Sequence, residues 1–312
     1  MENIATNALE QGLIYAFMTL GVLLSFRLLG FPDLTVEGSF PFGAAVAARL
    51  LVQGWAPIAA ALAAVAAGAL AGIAAGVIHT KLRVNNILAG ILTASALYTL
   101  MLRTMGRPNT PLLNYPTAVD QLRGLLGIPG GIWTEIAMLA VLALGARLLL
   151  GWFLATDLGL AIRATGNNEQ MIRSLGVNTD TTKIVTLGIS NGMVALSGAL
   201  ASQIQGFADV GMGIGALVAA VASVIIGETI FGVQALGRVL TGVLVGSVIY
   251  RGLLTVALQL GLPPTDFKLI TAVLVLLALT IPSLNAGTRT GARALSRAGA
   301  ASPARRAGRA RS

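Results

Sequence analysis

The chain has no cysteine and a single histidine, His79. Disulfides and thiolate metal sites are therefore excluded. One histidine also argues against a histidine-built metal centre or a Ser-His-Asp triad. Charged residues make up only 11% of the chain, about half the usual share. The G-x-x-x-x-G-K-[ST] phosphate loop is missing, as are H-E-x-x-H, G-x-S-x-G and the dinucleotide fingerprint. An intramembrane protease would need Ser with His, or paired Asp, inside spans. Here the Asp residues lie in loops and His79 at a span end. No basic region precedes the first apolar run, so a cleaved signal peptide is not indicated.

What is present is apolar. Hydrophobic residues make up 55% of the chain, and the mean hydropathy is +0.82. Runs of about 20 apolar residues, enough to cross a hydrocarbon core of about 30 Å, recur along it. The expected fold is an all-α polytopic bundle of about 8–10 spans in one membrane domain, residues 1–285. Nine spans are read: 8–26, 34–52, 55–78, 86–102, 132–150, 184–205, 213–231, 235–257 and a short one at 267–283. The loop 103–131 carries Pro108, Pro111, Pro116 and Pro129 and cannot be one continuous helix. Residues 286–312 form an Arg-rich tail expected to be disordered and drawn to anionic lipid.

The net charge of +9 owes much to that tail, which holds seven Arg between Arg289 and Arg311. This placement points to the lipid surface of a bilayer rather than to nucleic acid. Lys and Arg placement also sets the orientation. Nine spans put the N-terminus outside. Arg27, Lys81, Arg83, the 158–182 stretch, Arg238 and the tail then fall in the cytoplasm. Arg103, Arg107 and Arg123 are a smaller counterweight outside.

Two segments look alike. Gly30-Phe31-Pro32-Asp33 leads into GSFPFGAAVAARLL, and Gly206-Phe207-Ala208-Asp209 leads into GMGIGALVAAVASVII. Each follows a complete span, on opposite sides of the membrane. An inverted repeat with broken helices has this pattern, and such helices often line a solute path. Chance likeness among Gly, Ala and Val is the alternative. Asp33, Glu37, Gly38, Asp209 and Glu228 are the candidate residues of a path or gate, because charge at membrane depth is costly. Asp33 and Glu37 fall four apart, on one face if the helix starts early enough. Asp33 also fits a helix cap, with Glu37 in the first turn. Glu228 fits either a gate or a solvated helix end. Arg49 and Arg147 have stems long enough to snorkel to the interfaces.

The longest polar interruption that still reads as ordered structure is LGLAIRATGNNEQMIRSLGVNTDTT, residues 158–182. Its centre, 167–175, reads as a short amphipathic helix with Met171, Ile172 and Leu175 on one face. Gly166 and Gly176 bracket it as breakers. Such a helix can press on a partner protein; an ordinary interfacial loop helix is the bland reading.

These residues carry a resemblance. Gly159, Arg163-Ala164, Gly166, Asn168 and Gly176-Val177 resemble the cytoplasmic loop of ATP-binding-cassette importer permeases of the branched-chain amino acid and ribose type. FPDLTVEGSFPFGAA (31–45) resembles a subgroup linked to tryptophan, tyrosine or uncharacterised solutes. The likeness extends to about Ser283. It implies a non-enzymatic permease subunit of a bacterial inner membrane, importing a small organic solute, most naturally an amino acid. It further implies a second permease copy, identical or paralogous, an extracytoplasmic solute-binding protein, and a separate ATPase subunit that binds ATP. The ATPase contacts would be Gly159, Arg163, Ala164, Gly166, Asn168, Met171, Arg173, Leu175 and Gly176. An ion-coupled secondary carrier and a non-transport scaffold stay open beside it.

Overall fold

Small residues let helix backbones meet closely where lipid offers no hydrophobic drive for association, and the fold uses them in this way. The computed structural model describes residues 2–259 and, beyond them, Leu269, Val273 and Leu276. Those three residues apart, the ninth span and the Arg tail lie outside the described residues. The helices are α1 (Glu2–Val22), α2 (Val36–Val52), α3 (Pro57–Lys81), α4 (Asn86–Met105), α5 (Ala118–Leu126) and α6 (Ile132–Phe153). They continue with α7 (Asp157–Asn167), α8 (Glu169–Ser174), α9 (Thr179–Gln205), α10 (Ala216–Phe231) and α11 (Leu236–Gln259). Two short strands, β1 (Asn109–Pro111) and β2 (Phe207–Asp209), pair antiparallel. Among the described residues six helices are long and apolar enough to cross a membrane, and α10 is a shorter apolar helix. The all-α polytopic bundle is thus what the composition demands.

α9 is the hub. Of its apolar window 72% is buried, against 28% for α4 and for α6, which lie at the periphery. Gly43 of α2 and Gly72 of α3 each lie against α9 backbone so closely that no Cβ fits. Serines add polar ties between spans. Ser190 Oγ donates to Gly21 O at 2.7 Å, and Ser197 Oγ donates to Ile14 O at 2.8 Å. Seven residues up α9 match seven residues down α1, so these two helices run antiparallel.

The likeness of the two segments extends into three dimensions. α1–α2–α3 and α9–α10–α11 have the same order of long, short and long helix. Each first helix ends before a left-handed glycine, Gly30 (φ 69°) or Gly206 (φ 77°), where only Gly turns without strain. Packing is exchanged: α3 lies on α9 and α11 on α1. Ser247 Oγ of α11 donates to Gly12 O of α1 at 2.8 Å. Element order, exchanged packing and the antiparallel α1–α9 pair are those of an inverted repeat.

Several span boundaries move. α9 starts at Thr179 rather than 184, because Asn178 caps it and its first turn is polar. α1 runs on as a π-helix over Leu23–Leu28. Pro41 sits inside α2 without ending it. The Pro-rich loop contains β1 and the short helix α5, whose capping box pairs Thr117 with Asp120.

Candidate functional site

At one end of the bundle the chain forms α7 and then α8, the short helix expected over 167–175, which begins at Glu169. Gly166 does not break the chain there: it lies within α7, pressed on the Leu28 carbonyl of the π segment. The break is at Asn168, which is extended (φ −157°) and caps α8 by accepting Met171 N–H at 3.0 Å. Gly176 does end α8, with φ 87°. Gly159 sits where a side chain would strike the backbone of Phe153 and Leu154. Ile162 is buried, so α7 is anchored from below.

α8 buries none of its residues. A six-residue helix has little stability of its own. Polar ties hold it instead. Glu169 pairs with Lys183 at 2.8 Å, and Arg173 Nε donates to Thr179 Oγ1 at 2.6 Å. Arg173 also reaches Asp180 at 3.2 Å, and Lys81 of α3 reaches the same carboxylate at 3.4 Å. Burial pushes the Glu169 carboxyl up, but hydrogen bonds from Lys183 and Thr179 and the nearby Arg173 outweigh it. The group stays below its ordinary value. The result is a fixed platform that presents Met171 (60% exposed) and Leu175 (67% exposed) to solvent. Held in this way, both apolar side chains are accessible to a partner. Arg163 is exposed and has no ion-pair partner among the described residues, whereas Arg173 is spent within the chain.

The path candidates divide. Glu37, Gly38 and Asp209 line one cavity of about 360 Å³, together with Ala94, Tyr98, Met101 and Ile214. There the start of α2 meets the segment between β2 and α10. Glu37 Oε1 accepts Gly215 N–H at 3.2 Å, at the foot of α10. Gly213 lies against the Glu37 carbonyl and the Pro41 ring, so the two broken helices pack start to start. Asp209 accepts from Gly211 N–H at 2.7 Å and Asn109 Nδ2 at 3.2 Å. Asp33 is elsewhere, buried, and outside the helix, so it shares no helical face with Glu37. Its Oδ1 accepts Thr35 N–H at 2.9 Å and its Oδ2 accepts Asn191 Nδ2 at 2.7 Å. Glu228 lies at the α7–α8 end and pairs with Arg27 at 2.7 Å. Arg147 bonds Thr241 Oγ1 and the Gly237 carbonyl, both at 3.1 Å.

Sequence reasoning passed over Asn191, Tyr98 and Arg251. Asn191 was visible as an amide in the middle of an apolar run. Arg251 lies over the Tyr15 ring, 3.2 Å from its centre, an attraction of cation for π-face that only the fold assembles.

Residues 4–280 match the family described as branched-chain amino acid transport system / permease component. The chain is 39% identical over 279 residues to the tyrosine transport system permease protein of Clostridioides difficile, covering 89% of this chain and 91% of that one. It is 33% identical to an uncharacterized protein of Rickettsia prowazekii, covering 89% of this chain and 97% of that one. It is 30% identical to the ribose import permease protein of Escherichia coli, covering 88% and 84%. No solved structure matches. The chain belongs to the family of branched-chain amino acid transport system permease components.

Proposed function

We propose that the chain is the membrane subunit of an ATP-driven importer, carrying an amino acid released by an extracytoplasmic binding protein. The observation that carries this reading is α8, which holds Met171 and Leu175 outward on an ion-paired platform. A separate ATPase subunit binds ATP and takes α8 into a groove, with Arg163 and the Asn168 turn at its rim. Gly159 and Gly166 keep α7 pressed on the bundle, so movement of α8 reaches the π segment through the Leu28 contact. That segment carries Arg27 in its last turn, and Arg27 is tied through Glu228 to the far end of α10. The near end of α10 meets Glu37 at the cavity. ATP shifts access only by favouring one state of this chain of contacts over the other. Two permease copies enclose the path, and the binding protein docks at the 103–131 end. The relative named for tyrosine supports an amino acid as the solute.

The test is capture of the ATPase subunit by the purified chain, comparing wild type with Arg163→Glu/Leu175→Asp. Capture by wild type and its loss in a variant of intact helical content supports the reading. A folded wild type that captures no ATPase sinks it. An ion-gradient carrier would then lead, with Glu37 as its coupling carboxylate.

A further inference from the structure

Two cavities on α3 and α9 abut, and their chemistries are opposite. The first is a cleft of about 430 Å³ lined by His79, Thr80, Arg83, Asn85, Arg173, Asp180 and Lys183. Three cationic side chains face it against one carboxylate, Asp180. That carboxylate is already shared by Arg173 and Lys81. Arg83 has no ion-pair partner among the described residues. It holds a left-handed backbone (φ 55°) at the corner between α3 and α4. The second cavity is a groove of about 420 Å³ lined by Val65, Ala69, Ile73, Ile184, Ile189, Gly192 and Met193, among other apolar residues. Lys183 of the cleft and Ile184 of the groove are consecutive, so the two are neighbours along α9. From Ile184 the groove runs along α9 to Leu196, about 18 Å at about 1.5 Å per residue. One leaflet of hydrocarbon is about 15 Å deep, half of the core.

We propose that this composite cavity holds one anionic phospholipid. Its phosphate sits against Arg83, beside Arg173 and Lys183, which Glu169 already pairs, and an acyl chain lies along the surface groove that α3 and α9 form. Charge and length choose this occupant. A basic cleft at the end of membrane helices favours an anionic headgroup, and an apolar channel reaching from it into the bilayer accepts a chain. A free phosphate would use the cleft and leave the groove unused. A second protein copy would bury the groove but bring no phosphate. The lipid joins the α3–α4 corner to the platform under α8, because Arg173 and Lys183 serve both. The assignment stands without the importer reading, since it needs only a membrane-embedded chain.

The full chain is delipidated in detergent and titrated with phosphatidylglycerol, phosphatidylcholine or inorganic phosphate, and retained species are counted by native mass spectrometry. One phosphatidylglycerol is retained in preference to phosphatidylcholine. Arg83→Gln lowers that retention about fivefold, the effect of one surface cation, and Arg83→Lys preserves it. Ala69→Leu fills the groove and lowers retention of the lipid while inorganic phosphate binding stays unchanged. Circular dichroism confirms that each variant keeps its helices. Equal retention of the two lipids overturns the proposal, as does indifference to both Arg83→Gln and Ala69→Leu. Inorganic phosphate displacing the lipid regardless of its chains assigns the cleft to free phosphate instead. Disulfide crosslinking of Ala69→Cys between two copies assigns the groove to a protein contact and equally overturns it.

Discussion

Asn191 donates its side-chain amide to Asp33 at 2.7 Å, halfway along α9, where neither group can reach water. Its carbonyl oxygen accepts Ser39 Oγ at 2.7 Å. One amide thus fastens the start of α2 and the Asp33 turn to the hub helix, and it joins the two repeats. Asn191→Ala leaves a buried carboxyl and a buried hydroxyl each short of a partner. Such unsatisfied groups cost about 1–3 kcal/mol each. Thermal unfolding in detergent is expected to show a clearly lower midpoint for Asn191→Ala. The double change with Asp33→Asn should lose less than the sum of the single ones, because the groups are coupled. An unchanged midpoint for Asn191→Ala would remove this amide from the joint.

Gly166 is required by contact rather than by backbone angle. A methyl group there meets the Leu28 carbonyl, which is backbone and cannot swing aside. Gly166→Ala should push α7 off the π segment while sparing the spans. The expected phenotype is ATP-driven uptake reduced about tenfold, a loss of about 1.4 kcal/mol of coupling, with capture of the ATPase preserved. Uptake equal to wild type would show that movement does not pass through this contact.

How far the sequence foretold this follows from what hydropathy can see. Apolar runs mark where a helix crosses lipid, so eight of the segments were legible within a few residues. Polar turns that extend a helix into water are invisible to that signal, which is why Thr179–Lys183 was missed. The GF-x-D likeness exposed the repeat because both copies need the same left-handed glycine. Gly166 misled for a related reason. As a residue type it reads as a breaker, but it was there for close packing. Glu37 and Asp209 were each conspicuous. Their shared cavity was not, because it depends on how α2 and the foot of α10 meet across more than half the chain.

The platform under α8 should respond to acid. Glu169 is held below its ordinary value of 4.5 by Lys183, Thr179 and Arg173, despite burial that acts the other way. A carboxyl depressed in the folded state contributes stability above its unfolded value, and that contribution fades as pH falls through the folded value. α8 should therefore stay ordered from neutral pH down to about 4.5 and loosen below it. The chain has no native cysteine, so a spin label at Met171→Cys reports α8 alone. Glu169→Gln should already be mobile at pH 7 and show no such step. A wild-type label equally immobile at pH 7 and pH 3 would assign α8 order to something other than this pair.

The cavity between the broken helices allows the sharpest test of solute chemistry. Glu37 and Asp209 line it without an ion pair among the described residues, and Tyr98 and Met101 supply apolar wall. A solute carrying an ammonium group would offset the two carboxylates during passage, and an uncharged sugar would not. Glu37→Gln removes charge but can still accept Gly215 N–H, so the joint with α10 survives. Asp209→Asn likewise keeps an acceptor for Gly211 N–H. Both should slow amino acid uptake in reconstituted vesicles by about five- to thirtyfold, on the order of 1–2 kcal/mol, while ATPase capture is unchanged. Gly38→Val should be more severe, because a Cβ there already meets the Ala94 backbone at 2.8 Å and narrows the gap between α2 and α4. Uptake that is indifferent to both charge changes yet abolished by Gly38→Val would keep the proposed path at this cavity and rule out carboxylate recognition of the solute.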